Sequence, residues 1–166
     1  MKRSMAILAV VAFFFALAAP ASATTTRIPV SATETYRVID GGRTWFSNEG
    51  RIMHVRGWTA VSEAEGGNYV TGDGLLTASW NLDLATGDGT MWGTASYVLD
   101  AFDGGFAGSW TATFGGFAWS GRGVYQGFGE LHAWQGRVAV WATGCAPGVT
   151  ADGCDAFAGY YFRPGE

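Results

Sequence analysis

The sequence predicts an all-β protein whose simplest form is a closed or nearly closed antiparallel up-and-down barrel of about eight strands. Between Gly89 and Trp141, small or aromatic residues alternate with polar ones, so successive side chains fall on opposite faces. Turns at Asp103–Gly105 and Gly115–Gly116 separate the alternating segments, as in consecutive β-hairpins. An open sheet of this kind would expose long edges, so closure or a two-sheet sandwich is expected. Glycines inside the strands favour the barrel.

The first 23 residues have the pattern of a secretory signal peptide. A basic start at Met1–Arg3 precedes an apolar run over Met5–Ala19, and Ala21–Ala23 supplies the small-x-small pattern that signal peptidase accepts. The alternative is a retained membrane anchor, but the run is shorter than the roughly 20 apolar residues that a bilayer requires. We therefore expect cleavage before Thr24, a single domain over 24–166, no stable membrane span after cleavage, and a secreted or periplasmic location.

Ahead of the central hairpins, segments with period-two alternation are separated by turns and polar loops. The predicted strands are Thr33–Ile39, Arg51–Val61 and a segment that begins at Tyr69, with a short irregular piece at Trp45–Phe46. In the third strand the apolar side chains share one face, which predicts that one face is buried and the other is solvated. These apolar residues are Val70, Leu76, Ala78, Trp80 and Leu82.

The remaining strands follow in close succession and have no helical period. They are predicted at Thr90–Asp100, Phe106–Phe114, Phe117–Trp134, Val138–Thr143 and Phe157–Phe162. The alternation separates a face of aromatic residues and glycines from a face of polar residues. Which of the two faces points into the barrel does not follow from the alternation alone.

Composition narrows the function classes. All eight tryptophans lie in the predicted domain, which excludes intrinsic disorder. The chain has ten basic and fourteen acidic residues, and this negative balance argues against sequence-independent binding of nucleic acid. Lys2 is the only lysine, so the mature chain has no lysine for Schiff-base chemistry. The composition does not indicate an oligomeric state.

Two cysteines bracket a loop of turn-forming residues. In an exported chain, the spacing of Cys145 and Cys154 predicts a disulfide that ties this loop between the last two strands. Such a link contributes roughly 2–3 kcal/mol of stability in the loop-entropy description. A zinc site is less favoured because two thiols without a nearby histidine supply too few ligands. A redox-active pair usually has the closer Cys-x-x-Cys spacing.

The segment Gly121–Leu131 has the rhythm Gly-x-Gly-x-Tyr-x-Gly-x-Gly-x-Leu and follows a strand that ends in Ser-Trp-Thr-Ala-Thr-Phe. Over Tyr69–Ala142 this chain resembles the barrels related to allene oxide cyclase and the dirigent proteins, including secreted bacterial relatives of uncharacterised function. The resemblance implies an eight-stranded barrel with an apolar cavity, in a superfamily that contains an isomerase and proteins that steer radical coupling. It assigns no catalytic residue, because no catalytic motif of either group can be placed on this chain.

The polar face of the predicted strand Phe117–Trp134 is the first candidate site. It carries Arg122, Gln126, Glu130 and His132. Residues two apart on a strand are about 7 Å apart, so Glu130 and His132 can meet one ligand. A histidine beside a carboxylate can act as a general base, and an arginine can bind an anionic substrate. The alternative is an ordinary solvated face of an antiparallel strand.

His54, on the strand Arg51–Val61, is a further candidate residue. If the barrel brought it near Glu130 and His132, the three side chains would form a metal site. Sequence separation does not indicate that proximity, and we expect neither a metal nor a cofactor.

The interior of the barrel is the second candidate site, because cavities of small barrels are lined by aromatic side chains with a few polar anchors. The candidate ligand-binding residues are Trp92, Tyr97, Trp110, Trp119 and Tyr125. We expect a small apolar or aromatic ligand, although packing of a core alone would also need these rings. The alternatives are a cofactor-free isomerase or cyclase that uses Glu130 or His132, an outer-membrane barrel with Phe106, Trp110 and Phe114 facing lipid, and a purely structural or interaction role.

Overall fold

The computed structural model describes residues 24–67 and 69–165, and within these ranges all regular structure is β-strand. The predicted signal peptide, 1–23, lies outside the described residues. The strands are β1 (Thr26–Asp40), β2 (Arg43–Ser47), β3 (Ile52–Gly66), β4 (Gly72–Asp83), β5 (Gly89–Leu99), β6 (Gly104–Gly115), β7 (Ala118–Gly129), β8 (Gln135–Thr143) and β9 (Gly153–Arg163).

The strands form one antiparallel sheet that closes on itself. From β2 to β9 each strand pairs with its neighbour in the chain, and β1 pairs with both β9 and β3. Eight strands therefore form a closed barrel, and β2 is an extra strand that pairs only with the first third of β3. The predicted up-and-down barrel of about eight strands is confirmed, and closure removes the edges that an open sheet would expose.

The aromatic and glycine face points into the barrel. In β6, Phe106 and Trp110 are 1% and 9% exposed, whereas Thr111, the next residue after Trp110, is on the outer surface. Leu76 and Ala78 of β4 are buried in the same way. Away from β-bulges, period-two alternation in a closed sheet fixes the remaining inward positions. The polar row of β7 therefore lies outside the barrel.

The predicted strand Phe117–Trp134 is too long, because β7 ends at Gly129. Gly129 adopts a left-handed conformation, and the Glu130 N–H donates a hydrogen bond to the carbonyl oxygen of Asp103 at 2.9 Å. The chain then turns, and the buried side chain of Leu131 packs into the barrel end. Residues 130–134 are thus a turn between β7 and β8 and not the end of a strand.

The two ends of the barrel are packed differently. The end that carries the β3–β4, β5–β6 and β7–β8 connections is filled by a hydrophobic core that includes Phe106, Leu131 and Tyr161. The rings of Phe106 and Tyr161 stack with their centroids 4.0 Å apart. We call this the plugged end. At the opposite end, which carries the β4–β5, β6–β7 and β8–β9 connections, a cavity remains between aromatic side chains.

One inward glycine makes room for a large ring. Gly93 of β5 lies directly opposite Trp110 of β6. A Cβ atom at Gly93 would overlap the carbonyl oxygen of Thr77 and approach the Trp110 ring to 2.9 Å. Backbone atoms of a paired strand cannot move aside as a flexible side chain can, so the absence of a side chain at this position is a packing requirement.

We expect Gly93→Ala to lower the free energy of unfolding by about 1–3 kcal/mol, the usual range for an overpacked core. Gly115→Ala is the matched control, because a Cβ at Gly115 of β6 would have no neighbour within 4 Å. Its effect should stay within about 0.5 kcal/mol. Urea unfolding followed by tryptophan fluorescence measures both. Equal effects of the two substitutions would show that Gly93 does not accommodate the Trp110 ring.

Candidate ligand-binding cavity

The cavity inside the barrel has a volume of about 290 Å³, and every strand of the closed barrel contributes to its lining. Eight of the lining side chains are aromatic, and Trp58, Trp80, Trp110 and Trp119 are the largest of them. Several of these rings are only partly buried, because the mouth of the cavity is open at this end. The size and the aromatic lining suit a small organic molecule.

A β-bulge aims Trp58 into the cavity. The pairing of β3 with β4 shifts register between Val55 and Trp58, where Gly57 adopts a left-handed conformation with φ of 73°. Without the bulge, residues three apart would face opposite sides of the sheet. With it, the buried Val55 and the cavity-lining Trp58 both face inward. The Trp58 ring then meets the Tyr36 and Trp80 rings edge to face, with centroids 5.7 Å and 6.2 Å apart.

Two buried carboxyl groups lie at the inner end of the cavity. Glu34 of β1 and Asp155 of β9 are direct partners across the strand pair and are 2% and 4% exposed. Side chains directly opposite one another have Cβ atoms about 4.5–5.5 Å apart. The Tyr97 hydroxyl donates to the Glu34 carboxylate, at 3.0 Å from Oε1 and 3.1 Å from Oε2. The Oδ1 atom of Asp155 has no hydrogen-bond partner among the described residues.

Burial shifts the titration of this pair. It raises the pKa of Glu34 above its ordinary value. Hydrogen bonds with the Ser62, Asp155 and Tyr97 side chains act in the opposite direction but are outweighed. Burial, the negative charge of Glu34 and a side-chain hydrogen bond with Glu34 raise the pKa of Asp155 to about 9. Two carboxyl groups this close titrate as a unit. Near neutral pH the pair therefore retains at least one proton.

The neighbouring phenols stay protonated for the same reason. Burial, followed by the charge of Glu34, raises the pKa of Tyr97 and of Tyr125 above the ordinary tyrosine value. Both hydroxyl groups are thus hydrogen-bond donors over the whole physiological range. The inner end of the cavity combines proton donors with a carboxyl pair that can release or accept a proton.

The loop between β8 and β9 borders the mouth of the cavity. The predicted disulfide between Cys145 and Cys154 is present, with the Cα atoms 5.1 Å apart. Asp152 lines the cavity, and its Oδ2 atom accepts a hydrogen bond from the Val38 N–H at 2.7 Å. The Asp152 N–H donates to the carbonyl oxygen of Tyr36 at 2.9 Å. The disulfide ties the loop to β9, and the two hydrogen bonds attach it to β1 beside the cavity.

Four of the five predicted ligand-binding residues line the cavity, and Trp92 does not. Tyr97, Trp110, Trp119 and Tyr125 are all in its lining. Trp92 is 38% exposed on the outer surface, where the Arg56 guanidinium lies 4.7 Å from its ring centroid. Its assignment to the interior is wrong because alternation along β5 turns the residues on either side of Trp92 inward.

The polar candidates of the segment predicted at Phe117–Trp134 lie outside the cavity. Arg122 is exposed on the outer surface, and Glu130 and His132 are exposed in the β7–β8 turn at the plugged end. The Glu130 carboxylate accepts a hydrogen bond from the Asp103 N–H at 3.2 Å. The Gln126 amide donates to the carbonyl oxygen of His132 at 2.7 Å. These contacts hold the turn together, which corrects the prediction that Glu130 and His132 share a strand face.

His54 faces outward from β3, near the end opposite the β7–β8 turn. Its ring nitrogens are 2.7 Å from Asn81 Oδ1 and 2.8 Å from Ser47 Oγ, and its ring stacks on Trp45. His54 therefore lies at the other end of the barrel from Glu130 and His132, and the three side chains do not converge. Across the part of the chain that the structure describes, no three His, Cys, Asp or Glu side chains are grouped to hold a metal ion.

The outer-membrane alternative required Phe106, Trp110 and Phe114 to face outward. All three face inward: Phe106 and Trp110 are buried, and Phe114 lines the cavity. The outward positions of β6 are held by small and hydroxyl side chains such as Ser109 and Thr111. The outer-membrane alternative needs the opposite arrangement, in which these aromatic side chains face outward. Separately, none of the described segments is a helix long and apolar enough to cross a membrane.

Sequence reasoning missed the carboxyl pair. Val30, Ala32 and Glu34 share one face of β1, and all three are buried. A strand predicted to begin at Thr33 hides this pattern, since the two apolar residues that mark the inward face precede its start. On β9, Asp155 shares its face with the buried Phe157 in the same way. An acidic residue in an inward position of an alternating strand is the signal that could have found both.

Comparison with known protein families, with curated proteins and with solved structures found no match to this chain.

We expect the free energy of unfolding to fall as the pH rises from about 4 to about 9. The folded state keeps the Asp155 proton up to about pH 9, whereas the unfolded chain loses it near pH 4. A pKa raised by folding stabilises the protein below the unfolded value, and this stabilisation is lost as the pH rises towards the folded value. The loss is at most about 1.4 kcal/mol per pH unit for one proton.

Asp155→Asn should reduce the slope of this dependence, because an amide does not titrate and Glu34 is then the only ionisable member of the pair. Urea unfolding at pH 5, 7 and 9 measures the slope in both proteins. Asp73→Asn is the matched control, since Asp73 is exposed on β4, and it should keep the original slope. An unchanged slope in Asp155→Asn would contradict the proposed protonation of the pair.

Proposed function

We propose that this protein is an exported barrel that binds a small, largely apolar or aromatic molecule in its interior cavity. The observation that carries the proposal is the 290 Å³ of space lined by aromatic rings within an otherwise closed barrel. Export is supported by the signal-peptide pattern of residues 1–23 and by a disulfide, which is compatible with an oxidising compartment.

The contrast between the two barrel ends supports an occupant. At the plugged end, Phe106 and Leu131 are almost fully buried in a hydrophobic core, and the space left beside Phe106 is only about 20 Å³. At the open end, small side chains such as Ala78 face the same space as partly exposed tryptophans, so a core alone does not account for the arrangement. Protein interiors are normally packed without such voids.

Unpaired polar atoms beside the cavity support an occupant independently. The Trp110 indole N–H and the Oδ1 atom of Asp155 are buried without a hydrogen-bond partner in the described ranges. Both residues line the cavity. Most buried polar groups in folded proteins are paired with protein or ordered water, so a ligand with a polar group, or water, is expected to complete these bonds.

A second candidate function is that of a cofactor-free enzyme of the isomerase or cyclase type. The Glu34–Asp155 pair favours it, because a carboxyl group that holds its proton near neutral pH can act as a general acid while its partner acts as a base. This pair replaces Glu130 and His132 as the catalytic candidates. The kinship with allene oxide cyclase and dirigent barrels stays a proposal, supported by the eight closed strands and the apolar cavity.

Filling the cavity tests the binding function. The probe is the neutral dye N-phenyl-1-naphthylamine, whose fluorescence increases in apolar sites. We expect the wild type to bind it and Ala78→Phe to bind it at least about tenfold more weakly, a loss of about 1.4 kcal/mol, because the new ring occupies the cavity.

Ala107→Phe is the control, because Ala107 is exposed on the outer surface of β6. It should bind the dye as the wild type does. Ala78→Leu gives a smaller change if the phenylalanine variant does not fold. Undiminished binding by folded Ala78 variants, or no binding by the wild type, would overturn the proposal.

A further inference from the structure

We infer that the ligand of this cavity is an organic cation, a molecule with an ammonium group attached to an aromatic or apolar body. The inference rests on the proposed binding function and specifies the ligand class for the same site. Its basis is the combination of a buried acidic pair, a wall of aromatic rings and the charge of the remaining lining.

Apart from the tyrosine hydroxyls, all ionisable groups in the cavity lining are carboxyl groups. They belong to Glu34, Asp152 and Asp155. None of the arginine or histidine side chains in the described ranges lines the cavity. By contrast, Asp83 at the surface forms an ion pair with Arg51. Buried carboxylates are normally paired with a cation, and here none of the described residues of the lining provides one.

The groups that face the carboxyl pair from the surrounding strands are neutral or acidic. They are Ser62 of β3, Tyr97 of β5, Tyr125 of β7, Tyr161 of β9, Tyr36 of β1 and Asp152 of the β8–β9 loop. The Tyr97 hydroxyl stabilises one negative charge on Glu34 through its hydrogen bond. Nothing in this set compensates a second negative charge, so the free site keeps a proton instead.

The Asp155 carboxyl is more than a member of an acidic cluster. It is 4% exposed, it lines the cavity, and its Oδ1 atom is unpaired within the described residues. An ammonium group carries up to three N–H donors and can bond such an oxygen while neutralising its charge. An anionic ligand would instead meet uncompensated carboxyl groups of the same sign.

The aromatic wall provides the second attraction. Trp58, Trp80 and Trp119 line the same cavity as the carboxyl pair. The faces of such rings attract cations, and the attraction grows when water is excluded. Aromatic rings around an acidic group are the arrangement by which ammonium groups are recognised, while the apolar body of the ligand fills the remaining space.

Binding of the cation releases a proton. At pH 7 the free pair holds one proton, since burial and Glu34 raise the pKa of Asp155 to about 9. When the ammonium ion binds, the carboxylate forms and the proton passes to the buffer. The protonated site and R–NH3⁺ thus give the ion-paired complex and one H⁺. A neutral ligand leaves the proton in place.

Calorimetric titration of the whole folded domain with three matched probes tests the inference. They are 2-(1-naphthyl)ethylamine, 2-(1-naphthyl)ethanol and 1-naphthylacetate, which share one ring system and carry a positive, a neutral and a negative group. At pH 7 we expect the amine to bind at least tenfold more tightly than the alcohol, and the acetate to bind most weakly. Titrations in phosphate and in Tris, which differ in ionisation enthalpy, should show release of about one proton with the amine and none with the alcohol.

Asp155→Asn should remove the proton release, and it should weaken the preference for the amine without abolishing it, because the Glu34 carboxylate remains, while binding of the alcohol persists. Glu34→Gln should also weaken the preference for the amine. Asp73→Asn, an exposed control, should keep both properties. If the alcohol or the acetate bound as tightly as the amine, or if amine binding released no proton, the cation inference would be overturned while the binding function stood. If none of these probes nor the neutral dye bound, the binding function itself would fail.

Discussion

Closure of the sheet by β1 is the constraint on which the rest of the structure depends. This strand pairs with β9 along one edge and with β3 along the other, so its inward side chains meet partners from both ends of the chain. Glu34 enters the barrel only because β1 closes it, and the same pairing places Asp155 opposite. The tryptophan side chains and the β8–β9 loop at the mouth line the same cavity as this carboxyl pair, and the pair exists only because the barrel closes.

Burying two carboxyl groups side by side has a free-energy cost that a purely structural core would avoid. Removal from water disfavours their charge, and no basic side chain of the described lining offsets it. Retention of a proton and the hydrogen bond from Tyr97 reduce the cost but leave Asp155 Oδ1 unpaired within the described residues. Strained or unsatisfied polar groups in an otherwise well-packed fold are typical of binding and catalytic sites. The plugged end thus carries the hydrophobic core that stabilises the fold, whereas the open end carries the candidate binding site.

The sequence was sufficient to predict the barrel, because alternation and glycine turns are local properties of the chain. The same alternation separated the two faces of β6, but it did not indicate which face points inward. The structure shows that the face with Phe106 and Trp110 is the buried one. The candidate site was predicted only in part. Tyr97 and Tyr125 were identified from aromatic content, whereas Trp92 was assigned to the wrong face.

The remaining errors come from contacts between distant parts of the chain. Glu34 and Asp155 meet through pairing of the first and last strands, which no local pattern reports. Glu130 and His132 continue the alternation of β7 in the sequence, yet the left-handed Gly129 and the buried Leu131 turn the chain there. The bulge in β3 that turns Trp58 inward is likewise visible only in the pairing register with β4, and the sequence of β3 alone does not reveal it.

The most direct test of the central claim is a ¹³C NMR titration of the side-chain carboxyl groups of Glu34 and Asp155, with and without 2-(1-naphthyl)ethylamine. We predict that one carboxyl of the pair stays protonated through pH 7 in the free protein and ionises when the amine binds. If both carboxyl groups titrated near pH 4 in the free protein, the cavity would hold two ordinary carboxylates, and the claim that the buried pair shares a proton until a cation replaces it would be contradicted.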